Sequence, residues 1–400
     1  MEIQDTYTHI CTPDQLKEFC DRCSKSSYVG FDTEFVSENR YRPDLCLLQV
    51  AIDNEIAIID TLAIDDMGVF WNMLTEGQHI TIAHAAREEF LFCYRASGKR
   101  PKKLVDVQLA AGFVGFEYPA SYSNLVSQLL GVYLAKGETR TDWSKRPLTD
   151  KQITYALGDV EHLHLLCQQI QGLLKKSNRI QWYSEEVESW MDDLIEVEHH
   201  PQWHRISGAA RLNRRSLAIL RELWIFRNGQ AERKNRSPKR IVPDDLMVEL
   251  SKRGSAKISN FRSIRGFDNR VSKHLANEIS EAIQRGNEVD ENQLPEKLDR
   301  TKNINLGLVG QFLSTMLGVV CRTKGIAPGL VGTTQDVRTF AAWRLGHLPK
   351  DPPPKLADGW RAEIVGEAIE KALDGKLAIR VSNPKSEHPL SIEEFEGDKT

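Results

Sequence analysis

The segment Val29–Val36 constrains this chain more than any other. It reads Val-Gly-Phe-Asp-Thr-Glu-Phe-Val, an apolar, β-prone run carrying two carboxylates at i and i+2. On a strand that spacing puts Asp32 and Glu34 on one face, with Phe31, Thr33 and Phe35 on the other. Two adjacent carboxylates repel each other and lose hydration when buried. The fold must either leave that face wet, as at a sheet edge, or supply a bound cation. Where the other acids of this half lie decides between the two.

The rest of the half reads as alternating strands and helices. Thr12-Pro13-Asp14-Gln15 is a capping box with proline at the first helical position, and predicts a helix to about Lys25. Leu45–Ile52 and Glu55–Asp60 are β-rich and flank the turn pair Asp53-Asn54, which predicts an antiparallel meander with the acidic strand. Helices are expected at Ile64–Leu74, from His84 to Ala96, after Asp106 as a cap, and at Ser123–Leu130; Ile80–Ala83 reads as a short strand. A second capping box, Thr149-Asp150-Lys151-Gln152, starts a helix expected to reach Leu174. Tyr155 and Asp159 lie four apart on it and share a face. Ala156-Leu157-Gly158 between them would let the helix lie close on a sheet. The pattern is that of an α/β domain with a mixed sheet.

Length and composition bound the remainder. A chain of 400 residues is expected to form two or three domains, and an apolar fraction of 40% supplies their cores. No apolar run approaches the ~20 residues of a membrane span. The N-terminus lacks a basic segment followed by an apolar one, so no secretion signal is expected. Seven cysteines, an odd number, point to a reducing cytoplasm. Cys20 and Cys23 have no second pair to complete a zinc site and read as neighbours on a helix. Charge is asymmetric: Arg205–Asp290 holds 19 Lys/Arg against 10 Asp/Glu, whereas the whole chain is at −3. An acidic half beside a basic half suits either a metal site next to a polyanion-binding surface or an ordinary solvated helical face.

In the second half, His199-His200-Pro201 and Trp203-His204 within Ser189–Arg205 read as a linker, since Pro201 breaks any helical ligand spacing. Short helices are expected from Arg214, over Asp244–Lys252, Ile258–Ile264 and Val271–Gln284, and again over Asn305–Leu345 and Gly359–Leu373. Leu377–Val381 reads as a strand, and Ser386–Thr400 as a frayed acidic tail.

Taken together, these motifs resemble the ribonuclease D family of the exonuclease superfamily built on four acids and a tyrosine. Phe31-Asp32-Thr33-Glu34-Phe35 is similar to its first motif, and His84-Ala85-Ala86-Arg87-Glu88-Glu89 stands where the second belongs. Trp143-Ser144-Lys145-Arg146-Pro147-Leu148 with Tyr155 and Asp159 is similar to the third. Residues 205–290 resemble the helicase and RNase D C-terminal (HRDC) domain, and Gly359-Trp360-Arg361 resembles part of a second such module. One position departs from the pattern: Glu89 stands where the family has aspartate, and its extra methylene changes its reach.

The resemblance implies an RNase H-like exonuclease domain at 1–200, with a mixed five-stranded sheet flanked by helices. All-α modules would follow at 205–290 and 303–385, and a flexible tail at 386–400. It implies hydrolysis of phosphodiesters at RNA 3′ ends with two divalent cations, Mg²⁺ or Mn²⁺, since oxygen-only ligands favour these over zinc. Asp32 would bridge both ions, Glu34 and Asp159 would complete the ligand set of the first ion, Glu89 would serve the second ion through water, and Tyr155 would orient the attacking water. Phe35, Lys145, Arg146, Arg214, Arg215, Lys239, Arg240, Lys257 and Arg262 are the candidate nucleic-acid contacts. The implied protein is a cytoplasmic monomer, independent of membranes, that acts on tRNA precursors or other structured RNA. Two alternatives stand beside it: the same site acting on DNA, and a catalytically weak RNA-binding protein on the same fold.

Overall fold

The structure, a computed structural model, describes residues 7–53, 55–134, 141–264, 266–267, 274–297, 306–386 and 388–394. Its contacts divide the chain into two compact units. One takes Met1–Glu34, Leu47–Met191 and Asn303–Thr400; the other takes Phe35–Cys46 and Asp192–Lys302.

The first unit is built on a sheet of β1 (Thr8–Ile10), β2 (Tyr28–Val36), β3 (Asp44–Ile52), β4 (Glu55–Ile59), β5 (Ile80–Ala83) and β6 (Leu104–Asp106), in the order β1-β4-β3-β2-β5-β6. β3 and β4 are antiparallel, whereas β1 runs parallel to β4 and β2, β5 and β6 run parallel to one another. The sheet is mixed, as expected, but has six strands rather than five. β1 and β6 are three residues each, too short to show periodicity. Around the sheet lie α1 (Pro13–Cys23), α2 (Gly68–Glu76), α3 (Arg87–Ser97), α4 (Val107–Phe113), α5 (Tyr122–Leu130), α6 (Asp150–Glu161), α7 (Leu163–Lys176) and α8 (Ile180–His199). Both capping boxes form, at Thr12/Gln15 and Thr149/Gln152.

Three details correct the sequence reading. The helix started by Thr149 breaks at His162, whose N–H turns to the Tyr122 hydroxyl (3.2 Å). A Cβ at Gly158 would meet open space. The close approach is at Gly30 on β2 instead, where a Cβ would lie 3.3 Å from Leu163 at the start of α7. Finally, α8 runs through what reads as the start of a linker and stops at His199, just ahead of Pro201.

β2 changes character along its length. Tyr28–Phe31 are buried; from Asp32 onward the two faces diverge, with Thr33 buried and Asp32 and Glu34 partly exposed. The strand thus leaves the core where its carboxylates begin.

The C-terminal hundred residues belong to the same unit. Helices Gly307–Thr323, Pro328–Val331 and Thr334–Arg344 precede a helical stretch from Gly359 to Leu373 and a hairpin of Leu377–Val381 with Leu390–Glu394. Residues 390–394 are therefore a strand, where a frayed tail is expected from Ser386. This module is docked on α4 and α8. Trp360 packs on Phe113 (4.8 Å between rings), Arg361 makes a two-point pair with Glu186 (2.7 and 2.6 Å), and Arg179 donates to the carbonyls of Phe113 (2.6 Å), Gly325 (2.6 Å) and Lys324.

The second unit is helical, with Arg214–Arg233, Pro238–Ile241, Asp244–Arg253 and Ala276–Glu288 around a core that includes Leu220, Leu223, Leu246, Phe261 and Ile279. Residues 268–273, where the last helix is expected to begin, lie outside the described residues. Gly286 lets that helix cross closely: a Cβ there would sit 2.5 Å from the Ile219 Cα. Its order of elements, a long helix, a one-turn helix opening on proline, a medium helix and a closing helix, recurs in the C-terminal module. Among the described residues no helix is long and apolar enough to cross a membrane.

Candidate active site

Two distant segments supply the site. β2 presents Asp32 and Glu34 on one face, and α6 presents Tyr155 and Asp159 one turn apart. One carboxylate oxygen from each of Asp32, Glu34 and Asp159 lies within 4.8 Å of the others. The Tyr155 hydroxyl donates to the Asp159 carboxylate. A wet edge strand does not account for this convergence.

Glu89, buried in the first turn of α3, stands outside that three-acid group. Its Oε1 accepts from the Thr33 hydroxyl at 2.6 Å, so the residue between the two β2 carboxylates reaches through the opposite face of the strand to hold the fourth acid. Glu89 still lies near enough to Asp32 to raise that carboxyl's pKa. Asp32 is thus shared between a three-acid cluster and a pair with Glu89. The start of α3 is fixed by Asp106, whose carboxylate accepts from the N–H groups of Ala85 (3.1 Å) and Ala86 (2.9 Å) while also capping α4 through Gln108 (2.8 Å) and Leu109 (3.2 Å). His84 donates from Nε2 to the Ala120 carbonyl (2.9 Å) and meets Tyr122 edge-on.

The acids load each other electrostatically. Burial, then Glu89, Asp159 and Glu34, hold Asp32 well above the usual carboxylate range. Burial with Asp159 and Glu89 pushes Glu34 up to about 8. Burial pushes Glu89 to about 7 against the opposing Thr33 hydrogen bond, and Asp159 to about 7 against the one from Tyr155. Tyr155 is driven well above the ordinary phenol range by burial and by Asp159, Glu34 and Asp32, so it keeps its proton. These oxygen-only donors, converging and mutually repelling, fit a hard divalent cation, whose charge removes the repulsion.

A stability prediction follows. A raised carboxyl pKa means that the folded protein holds more protons than the unfolded chain between the ordinary value, near 4, and about 8. Stability of the metal-free protein therefore falls as pH rises through that window. In chelator, Tm is expected to drop by roughly 5 °C or more from pH 5.5 to pH 8.5, with Mn²⁺ restoring more of it at pH 8.5 than at pH 5.5. Scanning calorimetry at both pH values, with and without metal, checks this; a flat chelated profile would contradict the coupled cluster.

The candidate nucleic-acid contacts divide by what their charges already do. Arg146 is spent on Asp60 (2.6 and 2.7 Å) and on the carbonyls of Trp143 and Lys145. Arg214 donates to the carbonyls of Leu294, Pro295 and Glu291. Arg215 caps the helix ending at Glu288 through the carbonyls of Gly286, Asn287 and Val289, and pairs with Glu291. Lys145 is 79% exposed with Asp142 at 3.7 Å, and Lys239 is 76% exposed with Asp244 at 3.5 Å. Arg240 and Lys257 are exposed and Phe35 is half-buried on β2. The Arg262 side chain lies outside the described residues.

Comparison with known proteins agrees with this geometry. Residues 7–175 match the family model of 3′-5′ exonucleases, and residues 216–283 match the HRDC domain. The chain is 30% identical to ribonuclease D of Bartonella henselae over 90% of its length and 88% of the relative's. It is also 30% identical to that of Zymomonas mobilis, covering 96% of this chain and 98% of the relative. Its fold matches the crystal structure of Escherichia coli RNase D, described as an exoribonuclease involved in structured RNA processing, with a TM-score of 0.81 at 24% identity over 92% and 99% of the two chains. With the acids of β2 and α6 converging as they do, and with relatives matched across nearly their whole length, this chain belongs to the ribonuclease D family, the 3′→5′ exoribonucleases.

Proposed function

We propose that the site of Asp32, Glu34, Glu89, Tyr155 and Asp159 removes 5′-mononucleotides from the 3′ ends of structured RNA, tRNA precursors among them, in the cytoplasm and as a monomer. The observation that carries this is the meeting of the β2 carboxylates with Asp159 and Tyr155. Asp32, Glu34 and Asp159 would hold one Mg²⁺ or Mn²⁺, and Asp32 with Glu89 a second. When bound, such a pair supplies a hydroxide nucleophile at neutral pH and offsets charge on the phosphodiester.

The chain's own groups do the positioning. Tyr155 keeps its proton and donates it to Asp159 in a hydrogen bond, so toward the attacking water its hydroxyl oxygen is a hydrogen-bond acceptor rather than an ionised base, and the anchorage to Asp159 fixes where that oxygen stands. Thr33 fixes the orientation of Glu89 and leaves its second oxygen for a bound water. We assign the exonuclease domain to 1–200 and the helical modules to 205–290 and 303–385, the last of these closed by the hairpin strand Leu390–Glu394. Exposed Lys145, Lys239, Arg240 and Lys257, with Phe35, serve as RNA contacts, and the basic surplus of 205–290 gives a salt-dependent, sequence-independent grip on phosphates. The placement of Glu89 outside the three-acid group favours one second reading, a catalytically weak RNA-binding protein.

The test is a 5′-labelled structured RNA, with a DNA strand of matched sequence, incubated in Mg²⁺ or Mn²⁺. A ladder shortening from the RNA 3′ end, lost in Asp159→Ala, is the expected result. Preferential cleavage of DNA would move the assignment to a DNA exonuclease. Tight RNA binding without turnover in either metal, restored by Glu89→Asp, would establish the weak-catalysis reading.

A further inference from the structure

The motif loop ahead of α6 is held from a distance. Arg146 reaches Asp60, at the end of β4, with Nε–Oδ2 at 2.6 Å and Nη2–Oδ1 at 2.7 Å. Its Nη1 turns back on its own loop, donating to the carbonyls of Trp143 (2.7 Å) and Lys145 (2.8 Å). The two side chains are only 26% and 10% exposed. Asp60 is itself fixed: its N–H donates to the Ile10 carbonyl (2.9 Å), extending the β1–β4 pairing, and its Oδ1 accepts from the Leu62 N–H (3.1 Å). Burial opposes ionisation of Asp60, yet the Arg146 hydrogen bonds and charge prevail and hold its carboxyl below the usual range.

The loop that Arg146 gathers carries Trp143, buried to 3% exposure. The indole packs against the Tyr155 ring, with 6.1 Å between centroids and 38° between planes. Beyond the loop, Thr149 caps α6, and Gln152 ties that cap to Thr141 (3.2 Å). Tyr155 is therefore fixed at its hydroxyl by Asp159 and along its ring by Trp143, and the indole's own place depends on the loop. A planar guanidinium making four donations in fixed directions is a rigid brace, which a lysine ammonium cannot reproduce.

We propose that Asp60 and Arg146 are positioning residues for Tyr155: their two-point ion pair fixes the loop that seats Trp143 against the tyrosine ring, and so sets the direction in which the Tyr155 hydroxyl points. This rests on the proposed role of Tyr155 in orienting the attacking water. It assigns Arg146 to the geometry of the chemical step, although its charge and its place in the motif invite a phosphate-binding role. Misplacing a catalytic group by about 1 Å lowers the rate steeply while leaving substrate affinity intact.

The experiment is a double-mutant cycle. In Arg146→Lys, kcat on a labelled RNA is expected to fall by about 10–100-fold, with KM and Mn²⁺ affinity within about 2-fold of the parent. In a Tyr155→Phe background the same change is expected to cost less than about 2-fold, because nothing remains to be oriented. Asp60→Asn keeps the volume and one acceptor, and should repeat the pattern if the lysine variant folds poorly. Fluorotyrosine at position 155, read by ¹⁹F NMR without substrate, should give one sharp resonance in the parent and a broadened or split one in Arg146→Lys. A rise in KM with kcat preserved, or full additivity with Tyr155→Phe, would overturn the proposal and make Arg146 a substrate contact. An unchanged ¹⁹F resonance would overturn it as well. Because that measurement needs no turnover, it separates failure of this inference from failure of the exoribonuclease assignment.

Discussion

Asp32→Asn is expected to abolish hydrolysis while making the metal-free protein more stable. Asp32 is the residue shared by the three-acid cluster and by Glu89, so its loss removes a ligand from both places where a cation would bind; kcat should fall by about 10³-fold or more. The stability effect has the opposite sign. The folded metal-free protein buries Asp32 among Glu89, Asp159 and Glu34, which oppose its ionisation and hold its carboxyl well above the usual range. Asparagine keeps the volume and can still accept from the Thr33 N–H, but carries no charge. Tm in chelator at pH 8 should therefore rise by about 2–5 °C. At pH 5.5, where the cluster holds protons, the gain should largely vanish. The Mn²⁺-induced rise in Tm should be lost at both pH values. A variant less stable than the parent in chelator at pH 8 would show that the carboxylates do not strain the fold, and the electrostatic account of the site would fail with it.

The largest loss of stability is expected far from that site, in Arg361→Ala. Arg361 is 8% exposed. Besides its two-point pair with Glu186, it donates from Nε to the Val331 carbonyl (3.0 Å) and lies 4.2 Å over the Trp360 ring. Glu186 also accepts from the Trp360 indole N–H at 3.0 Å. Removing the guanidinium leaves a poorly solvated carboxylate and an orphaned carbonyl, a loss of about 3–5 kcal/mol. That corresponds to a fall in Tm of roughly 10 °C. Arg380→Ala is the control, since its pair with Glu393 is 62% and 51% exposed; it should stay within about 1 °C. A shift in Arg361→Ala no larger than the control's would mean that the module is not held to α4 and α8 by this anchor.

Much of the candidate site was legible because its acids sit at spacings that a strand or a capped helix turns into one face. Asp32 and Glu34 at i and i+2 share a face on a strand but not on a helix, whereas Tyr155 and Asp159 at i and i+4, following a capping box, share one on a helix. Capping boxes at Thr12 and Thr149 placed the helix starts. What stayed hidden lies in pairs too far apart in the chain for any local pattern to join. Thr33 holding Glu89 and Asp60 holding Arg146 are tertiary facts, and each alters what a motif residue does. Arg214 and Arg215 read as phosphate contacts because charge is visible in a sequence, whereas the carbonyls that occupy them are not. The end of α8 could have been read from Pro201; the histidines before it drew attention to metal spacing instead. The break at His162 needed knowledge of the Tyr122 hydroxyl, forty positions upstream.

The first unit is interrupted in sequence: it pauses at Met191 and resumes at Asn303, with its anchor Arg361 further on. On the ribosome, β2 and α6 emerge early, yet the partners that clasp α4 and α8 are still unmade. At about 5–20 residues per second, the delay from Met191 to Arg361 is on the order of ten seconds or more. A nascent chain therefore carries the converging acids of β2 and α6 on a scaffold whose C-terminal anchor is added only near the end of its own synthesis.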